Sequence, residues 1–114
     1  MKPIVALVYD FDGTLSPYNM QECGFIQSLG MSVSEFWTHA NRMAVDEDAS
    51  SILCYMKYML DSAKKAGFPV TKELLRKSGE EVKLYDGVKE WFALINQYGE
   101  SKGVQIEHYI NSSG

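Results

Sequence analysis

The residues best placed to do chemistry are two aspartates, Asp10 and Asp12, which follow an apolar run near the start of the chain. The run covers residues 4–9 and predicts a buried β-strand. Because side chains along a strand alternate between its two sides, we expect both carboxylates to project to the same side at the strand's carboxyl end. Gly13 permits a sharp turn directly after them. Two such carboxylates can hold a hard divalent cation such as Mg²⁺, and one of them can act as a nucleophile.

Other sites with closely spaced aspartates do not match this spacing. A calcium loop of the EF-hand type needs glycine at its sixth position and glutamate at its twelfth, where this chain has Leu15 and Gln21 when counted from Asp10. The kinase metal motif Asp-Phe-Gly is interrupted by Asp12, and no glycine-rich loop precedes it. A plain strand followed by an Asp-Gly turn accounts for Asp12 and Gly13, but it leaves the other carboxylate and the apolar run unexplained.

Residues 10–15, Asp-Phe-Asp-Gly-Thr-Leu, together with the apolar strand before them, resemble the first motif of the haloacid dehalogenase-like superfamily. The resemblance implies that Asp10 is the nucleophile and that Asp12 is the general acid and base of the phosphatase and phosphomutase branches. It implies Mg²⁺ as the cofactor, with Asp10 and Asp12 as its protein ligands. Because the dehalogenase branch lacks the second aspartate, Asp12 favours phosphoryl transfer over cleavage of a carbon–halogen bond.

The last apolar segment, residues 104–110, is similar to the second motif of the same superfamily, an apolar strand that ends in Ser or Thr. Taken alone, the segment predicts only a strand and a loop. The resemblance implies that Ser112 is the phosphate-binding hydroxyl, with Ser113 and Gly13 as further substrate-binding residues. A helix predicted over residues 86–98, ended by Gly99, precedes this strand in the order that the superfamily requires.

The superfamily's later lysine and final carboxylates cannot be assigned, because Lys89 and Lys102 both precede the second motif. We therefore expect the chain to be the N-terminal part of a longer enzyme. The resemblance implies a magnesium-dependent phosphomonoester hydrolase that acts on a small phosphorylated metabolite through an aspartyl-phosphate intermediate. A phosphomutase, or a non-catalytic binding or regulatory fragment, are the alternatives.

Four helices are predicted between the two motif strands. Each is bounded by capping or glycine signals: residues 20–29 ended by Gly30, a helix after the capping box Ser32–Glu35, a helix from about residue 48 to Gly67, and a helix capped by Thr71. In the third, Ile52, Met56, Met59, Leu60 and Ala63 form an apolar stripe, and Met56 and Met59 are expected to fill the interior. A crossover between parallel strands usually needs one helix, so four indicate an inserted subdomain.

The expected fold is therefore α/β, with a partial Rossmann-like core of parallel strands and an inserted all-helical cap. The core is assigned to residues 1–16 and 83–114, and the cap to residues 17–82. Since only two strands are predicted, their edges are bare, and self-association through these exposed edges is expected.

The amino-acid composition limits the classes of molecule that this protein is expected to bind. The net charge of −4 and the lack of a Lys/Arg cluster argue against nucleic acid or an anionic membrane as a partner. The N-terminal apolar run is too short to span a membrane, which predicts a cytoplasmic protein with Cys23 and Cys54 reduced. The acidic run at residues 46–48 is read as favouring a helix N-terminus, with no metal assigned there.

Overall fold

The computed structural model describes residues 1–114 as a mixed α/β fold with five α-helices and one two-stranded parallel sheet. The predicted α/β class is confirmed. In chain order the elements are β1 Ile4–Tyr9, a 3₁₀ turn Met20–Glu22, α1 Phe25–Ser28, α2 Val33–Asp46, α3 Ser51–Ala66, α4 Lys72–Gly79, α5 Val88–Ser101 and β2 Gln105–Ile110. None of the helices is both long and apolar enough to cross a membrane.

The chain forms two compact units. The sheet unit consists of Met1–Met20 with Lys83–Gly114, and it contains both strands and α5. The helical unit, Gln21–Val82, contains α1 to α4. The sequence prediction assigned the core to residues 1–16 and 83–114 and the cap to residues 17–82.

The two strands pair in parallel, in a register that runs from Ile4 opposite Gln105 to Tyr9 opposite Ile110. The parallel direction predicted for the strands is confirmed. Beyond the last pair, the Asn111 N–H donates a hydrogen bond of 2.8 Å to the Tyr9 carbonyl. Both strands therefore end at the same edge of the sheet, and the segments that follow them leave from that edge.

The prediction that β1 is buried was wrong. Ile4 and Val8 are 58% and 64% exposed, and Tyr109, the neighbour of Val8 in the register, is 52% exposed. Alternate residues of a strand face opposite sides, so these three share the face that α5 does not cover. Parallel sheets are usually covered on both faces, and here one helix covers one face only. On the bare face the Tyr109 hydroxyl donates a 2.6 Å hydrogen bond to Glu107, which raises the pKa of Tyr109.

Helix α5 does not end at Gly99, as predicted, but continues to Ser101. Gly99 is buried inside the last turn, where a Cβ atom would lie 2.5 Å from Cγ1 of Ile106 in β2. The glycine is thus needed for close approach of helix and strand, and the turn after the helix uses Gly103, whose φ is +74°.

The helical unit is organised around the packing of α2 against α3. Its core contains Ile26, Phe36, Ala40 and Tyr55, and the Phe36 ring meets that of Trp37 edge to face at 5.0 Å. The predicted capping box is confirmed, because the Glu35 N–H donates to the Ser32 hydroxyl at 3.1 Å and the Ser32 N–H donates to the Glu35 carboxylate at 2.9 Å.

Two predicted helices differ from those in the structure. The helix expected over residues 20–29 is broken into the 3₁₀ turn and the short α1, because Gly24 between them has a φ of +113°. The helix expected from residue 48 begins at Ser51, since Asp48 adopts a φ of +46° that is incompatible with a right-handed helix. Thr71 caps α4 as predicted, accepting from the Leu74 N–H at 3.1 Å.

The apolar stripe predicted on α3 is divided between interior and surface. Ala63 is buried and Met59 packs against the core, as expected. Met56 is 49% exposed, so the prediction that it fills the interior was wrong. The helix buries the side that carries Tyr55 and Ser62, and Met56, one residue after Tyr55, lies on a different side of the helix.

Candidate functional site

The loop that follows β1 is a tight turn closed by its own backbone. The Phe11 carbonyl accepts hydrogen bonds from the N–H groups of Thr14, Leu15 and Ser16 at 3.1, 2.9 and 3.2 Å. The Gly13 N–H donates to the Ser16 carbonyl at 2.7 Å, and Gly13 has a φ of +76°. The sharp turn expected at Gly13 is therefore present, and it requires a left-handed residue at that position.

This loop is anchored to the segment that leads into α5. Ser16 is fully buried, and its hydroxyl donates a 2.6 Å hydrogen bond to the Lys83 carbonyl. The Tyr85 N–H donates to the Leu15 carbonyl at 2.9 Å, and Leu15 is 5% exposed. A buried loop end with paired polar groups holds the residues before it in one conformation.

The two aspartates differ in their surroundings. Asp10 is exposed, and its Oδ1 accepts a 2.9 Å hydrogen bond from the Phe11 N–H. Asp12 is half-buried, and its Oδ1 accepts from the Met20 N–H at 3.0 Å. Because β1 ends at Tyr9, the alternation of a strand does not reach these residues. The turn and these backbone hydrogen bonds position the carboxylates instead.

The residues after β2 lie against Asp12. A Cβ atom on Gly114 would be 2.9 Å from Asp12 Oδ2, so the two motif segments approach each other closely at this point. Ser112 and Ser113 are exposed in the same segment, and the Ser112 hydroxyl accepts a 3.1 Å hydrogen bond from the Gly114 N–H. Segments 10–13 and 111–114 thus form one polar cluster at the carboxyl edge of the sheet.

A hydrogen-bonded chain of side chains, not predicted from the sequence, lies on the α5 side of the sheet. The Trp91 Nε1–H donates to the Tyr9 hydroxyl at 2.8 Å, and that hydroxyl lies 2.9 Å from Nδ1 of His108. His108 Nε2 is 2.8 Å from Asn96 Oδ1, so both ring nitrogens lie within hydrogen-bonding distance of a polar side chain.

These hydrogen-bonded side chains link both strands to α5 directly before the candidate site. Tyr9 immediately precedes Asp10, and its ring packs edge to face on Phe92 at 5.8 Å. The signal in the sequence is two polar aromatic side chains near the carboxyl ends of the strands, Tyr9 in β1 and His108 in β2. The sequence alone does not reveal the contact between Tyr9 and His108, because the two rings are brought together only by the parallel register of β1 and β2.

Few side chains near these aspartates could coordinate a metal ion. No group of three or more His, Cys, Asp or Glu side chains is arranged to hold a metal ion anywhere in the chain. Asp10 and Asp12, two positions apart in the chain, carry oxygens of the kind that Mg²⁺ prefers.

What this arrangement can do chemically follows from its parts. An exposed carboxylate next to a half-buried one supplies a nucleophile and a proton donor, and the neighbouring serine hydroxyls supply hydrogen-bond donors for an anionic group. Comparisons with protein-family models, with curated proteins and with solved structures found no match.

Proposed function

We propose that this chain carries the nucleophile and the acid–base residue of a haloacid dehalogenase-like phosphatase, a magnesium-dependent hydrolase of small phosphomonoesters. The observation that supports the proposal most is the parallel pairing of β1 with β2, which brings Asp10, Asp12 and Ser112 to one edge of the sheet. Ligands of open α/β sheets bind at the carboxyl ends of the strands. The helical unit corresponds to the cap in this proposal.

The reaction proceeds in two steps on the residues of this chain. A carboxylate oxygen of Asp10 attacks phosphorus while the bond from phosphorus to the ester oxygen breaks, which leaves an aspartyl-phosphate. Asp12 gives its proton to the departing alkoxide. In the second step Asp12 takes a proton from water, whose oxygen attacks phosphorus and releases inorganic phosphate and the Asp10 carboxylate.

The remaining residues bind and orient. Ser112 and Ser113 donate hydrogen bonds to the phosphate oxygens, and the hydrogen bond from the Met20 N–H holds the Asp12 carboxylate in place. Bound Mg²⁺ would offset the negative charges of the Asp10 carboxylate and of the phosphate. The Asp10 carboxylate and the Asp12 backbone carbonyl would hold it.

Activity measurements on the protein encoded by the whole gene test the proposal. With Mg²⁺ and a panel of phosphomonoesters, we expect phosphate release that Asp10→Asn abolishes and that Asp12→Asn lowers by about 10²- to 10⁴-fold. Asp46→Asn, which changes an exposed aspartate of the helical unit, is the control and should leave the rate unchanged. If no ester is hydrolysed while Asp10→Asn binds the same esters as tightly as the wild type, the chain is a binding module instead.

Metal binding by residues 1–114 is expected to be weak. Two oxygen ligands seldom suffice for a cation that is kept largely hydrated, so we expect a dissociation constant for Mg²⁺ above about 10 µM. Isothermal titration calorimetry measures it, with Asp10→Asn as the variant that should remove the remaining heat. A tighter site in this chain would contradict the two-ligand assignment.

A further inference from the structure

The hydrogen-bonded side chains on the α5 side of the sheet meet at Tyr9, the residue directly before Asp10. The Tyr9 hydroxyl lies 2.8 Å from Nε1 of Trp91 in α5 and 2.9 Å from Nδ1 of His108 in β2. A hydroxyl can donate one hydrogen bond and accept two, so it satisfies both partners at once. One side chain of β1 is thus bonded to both of the elements that pack beside it.

Ring packing alone does not require the Tyr9 hydroxyl. The Tyr9 ring meets Phe92 edge to face and stacks on the His108 ring, each with centroids 5.8 Å apart, and a phenylalanine ring could make both contacts. Tyr9 is half-buried, where a hydroxyl is unfavourable unless it is paired. What the hydroxyl adds is direction, because hydrogen bonds have narrow ranges of distance and angle.

The main chain of Tyr9 is held as well. Its carbonyl belongs to the peptide group that joins Tyr9 to Asp10, and it accepts a 2.8 Å hydrogen bond from the Asn111 N–H. Asp10 itself lies outside β1, so the alternation of the strand does not orient its exposed carboxylate. The direction in which Asp10 leaves the sheet therefore depends on how firmly Tyr9 is fixed.

We propose that Tyr9 is a positioning residue, whose hydrogen bonds to Trp91 and His108 fix the backbone from which the Asp10 carboxylate projects. This role rests on the proposed function, in which Asp10 attacks phosphorus in line with the leaving oxygen. Such an attack tolerates little error in position, since a displacement of about 1 Å can lower a rate about 100-fold. Loss of the hydroxyl should misdirect the nucleophile and leave the contacts to phosphate in place.

Steady-state kinetics of the protein encoded by the whole gene test this role, with p-nitrophenyl phosphate as the ester and Mg²⁺ present. Tyr9→Phe keeps the ring and removes the hydroxyl, and it should lower kcat/KM about tenfold. The inhibition constant of inorganic phosphate should change by less than about twofold, because binding of the anion does not need the attack geometry.

Tyr109→Phe is the matched control. It removes a tyrosine hydroxyl from the same sheet, one that donates to Glu107 on the face that α5 does not cover. The substitution is chemically identical to Tyr9→Phe, and it breaks no bond to α5. We expect it to leave both kcat/KM and the inhibition constant unchanged.

Two substitutions of His108 test whether Tyr9 acts through that partner. His108→Asn can keep a polar atom near the position of Nδ1, whereas His108→Leu offers the Tyr9 hydroxyl no partner. We expect kcat/KM to stay within about threefold of the wild type in His108→Asn and to fall about tenfold in His108→Leu. If circular dichroism shows that Tyr9→Phe is unfolded, the comparison of the two His108 variants decides the question by itself.

A second readout does not depend on turnover. The Phe11 N–H donates to the Asp10 carboxylate, so its amide NMR signal reports where that carboxylate lies. Tyr9→Phe retains an aromatic ring and its ring current, so a shift of the Phe11 signal would come from movement of Asp10. We expect this signal to shift in Tyr9→Phe and to stay in place in Tyr109→Phe. If the wild type hydrolyses no ester, the proposed function fails, whereas the Phe11 signal still decides whether Tyr9 orients Asp10.

Three results would overturn the positioning role. The first is a Tyr9→Phe variant in which both kcat/KM and the Phe11 signal are unchanged. The second is a Tyr109→Phe control that loses as much activity as Tyr9→Phe does. The third is an inhibition constant of phosphate that rises as much as kcat/KM falls, which would mean that the hydroxyl supports binding of the anion.

Discussion

At the scale of single residues, the glycines of this chain have different physical roles, and Gly99 is the one that packing demands. A Cβ atom there would lie 2.5 Å from Cγ1 and 2.9 Å from Cδ1 of Ile106, whereas nothing lies within 4 Å of one placed on Gly79. Gly99 allows α5 to contact β2, whereas Gly79 has no packing role and only lowers the helix propensity of α4.

We therefore expect opposite effects from two alanine substitutions. Gly99→Ala should lower the free energy of unfolding by about 1–2 kcal/mol, because overpacking outweighs the gain in helix propensity. Gly79→Ala should raise it by about 0.5 kcal/mol. Urea unfolding followed by circular dichroism measures both, and an unchanged or raised stability for Gly99→Ala would show that Ile106 can move aside.

At the scale of elements, the helix N-termini differ in how they are capped. The Ser32 hydroxyl accepts from the Glu35 N–H at the start of α2, whereas Ser50, in the same position before α3, makes no capping hydrogen bond. An N-cap side chain satisfies a backbone donor that the helix itself leaves without a partner.

This difference predicts unequal costs for the same substitution. Ser32→Ala should destabilise the chain by about 1 kcal/mol, and Ser50→Ala by much less, since no hydrogen bond is lost. The shift of the urea midpoint in each variant checks this. Equal losses would mean that the cap at Ser32 contributes little in solution.

At the scale of the whole molecule, the bare face of the sheet should decide solubility. Val8 is 64% exposed on that face, and its neighbour Leu7 is half-buried on the face that α5 covers. Val8, Ile4 and Tyr109 form an exposed apolar patch on this face, and the strands also have open edges. Both features favour pairing with other chains.

Val8→Lys should change the free energy of unfolding by less than about 0.5 kcal/mol. It should also reduce the rise of apparent molar mass with protein concentration that static light scattering measures. Leu7→Lys, one residue away, should destabilise the fold by about 2 kcal/mol or more, because it buries an ammonium group under α5. Aggregation through this face has no fixed size. Scattering that is identical for Val8→Lys and the wild type would show that the bare face does not associate.

Local patterns in the sequence were enough for several features. The strands, the capping box at Ser32, the Thr71 cap and the turn at Gly13 depend on neighbours within four residues, so their signals lie in short segments. The adjacency of Asp12 and the Ser112 segment was also predictable, because two parallel strands must end at one edge of their sheet.

Only the tertiary structure decided the rest, because each of those features depends on residues far apart in the chain. Gly99 resembles a helix terminator until Ile106 is placed against it, and Met56 resembles a core residue until α2 is seen to cover a different side of α3. The link between Tyr9 and His108 needs the register of two strands that are separated by nearly the whole chain. Composition and spacing determine which residues can be buried or bonded, and packing determines which of them are.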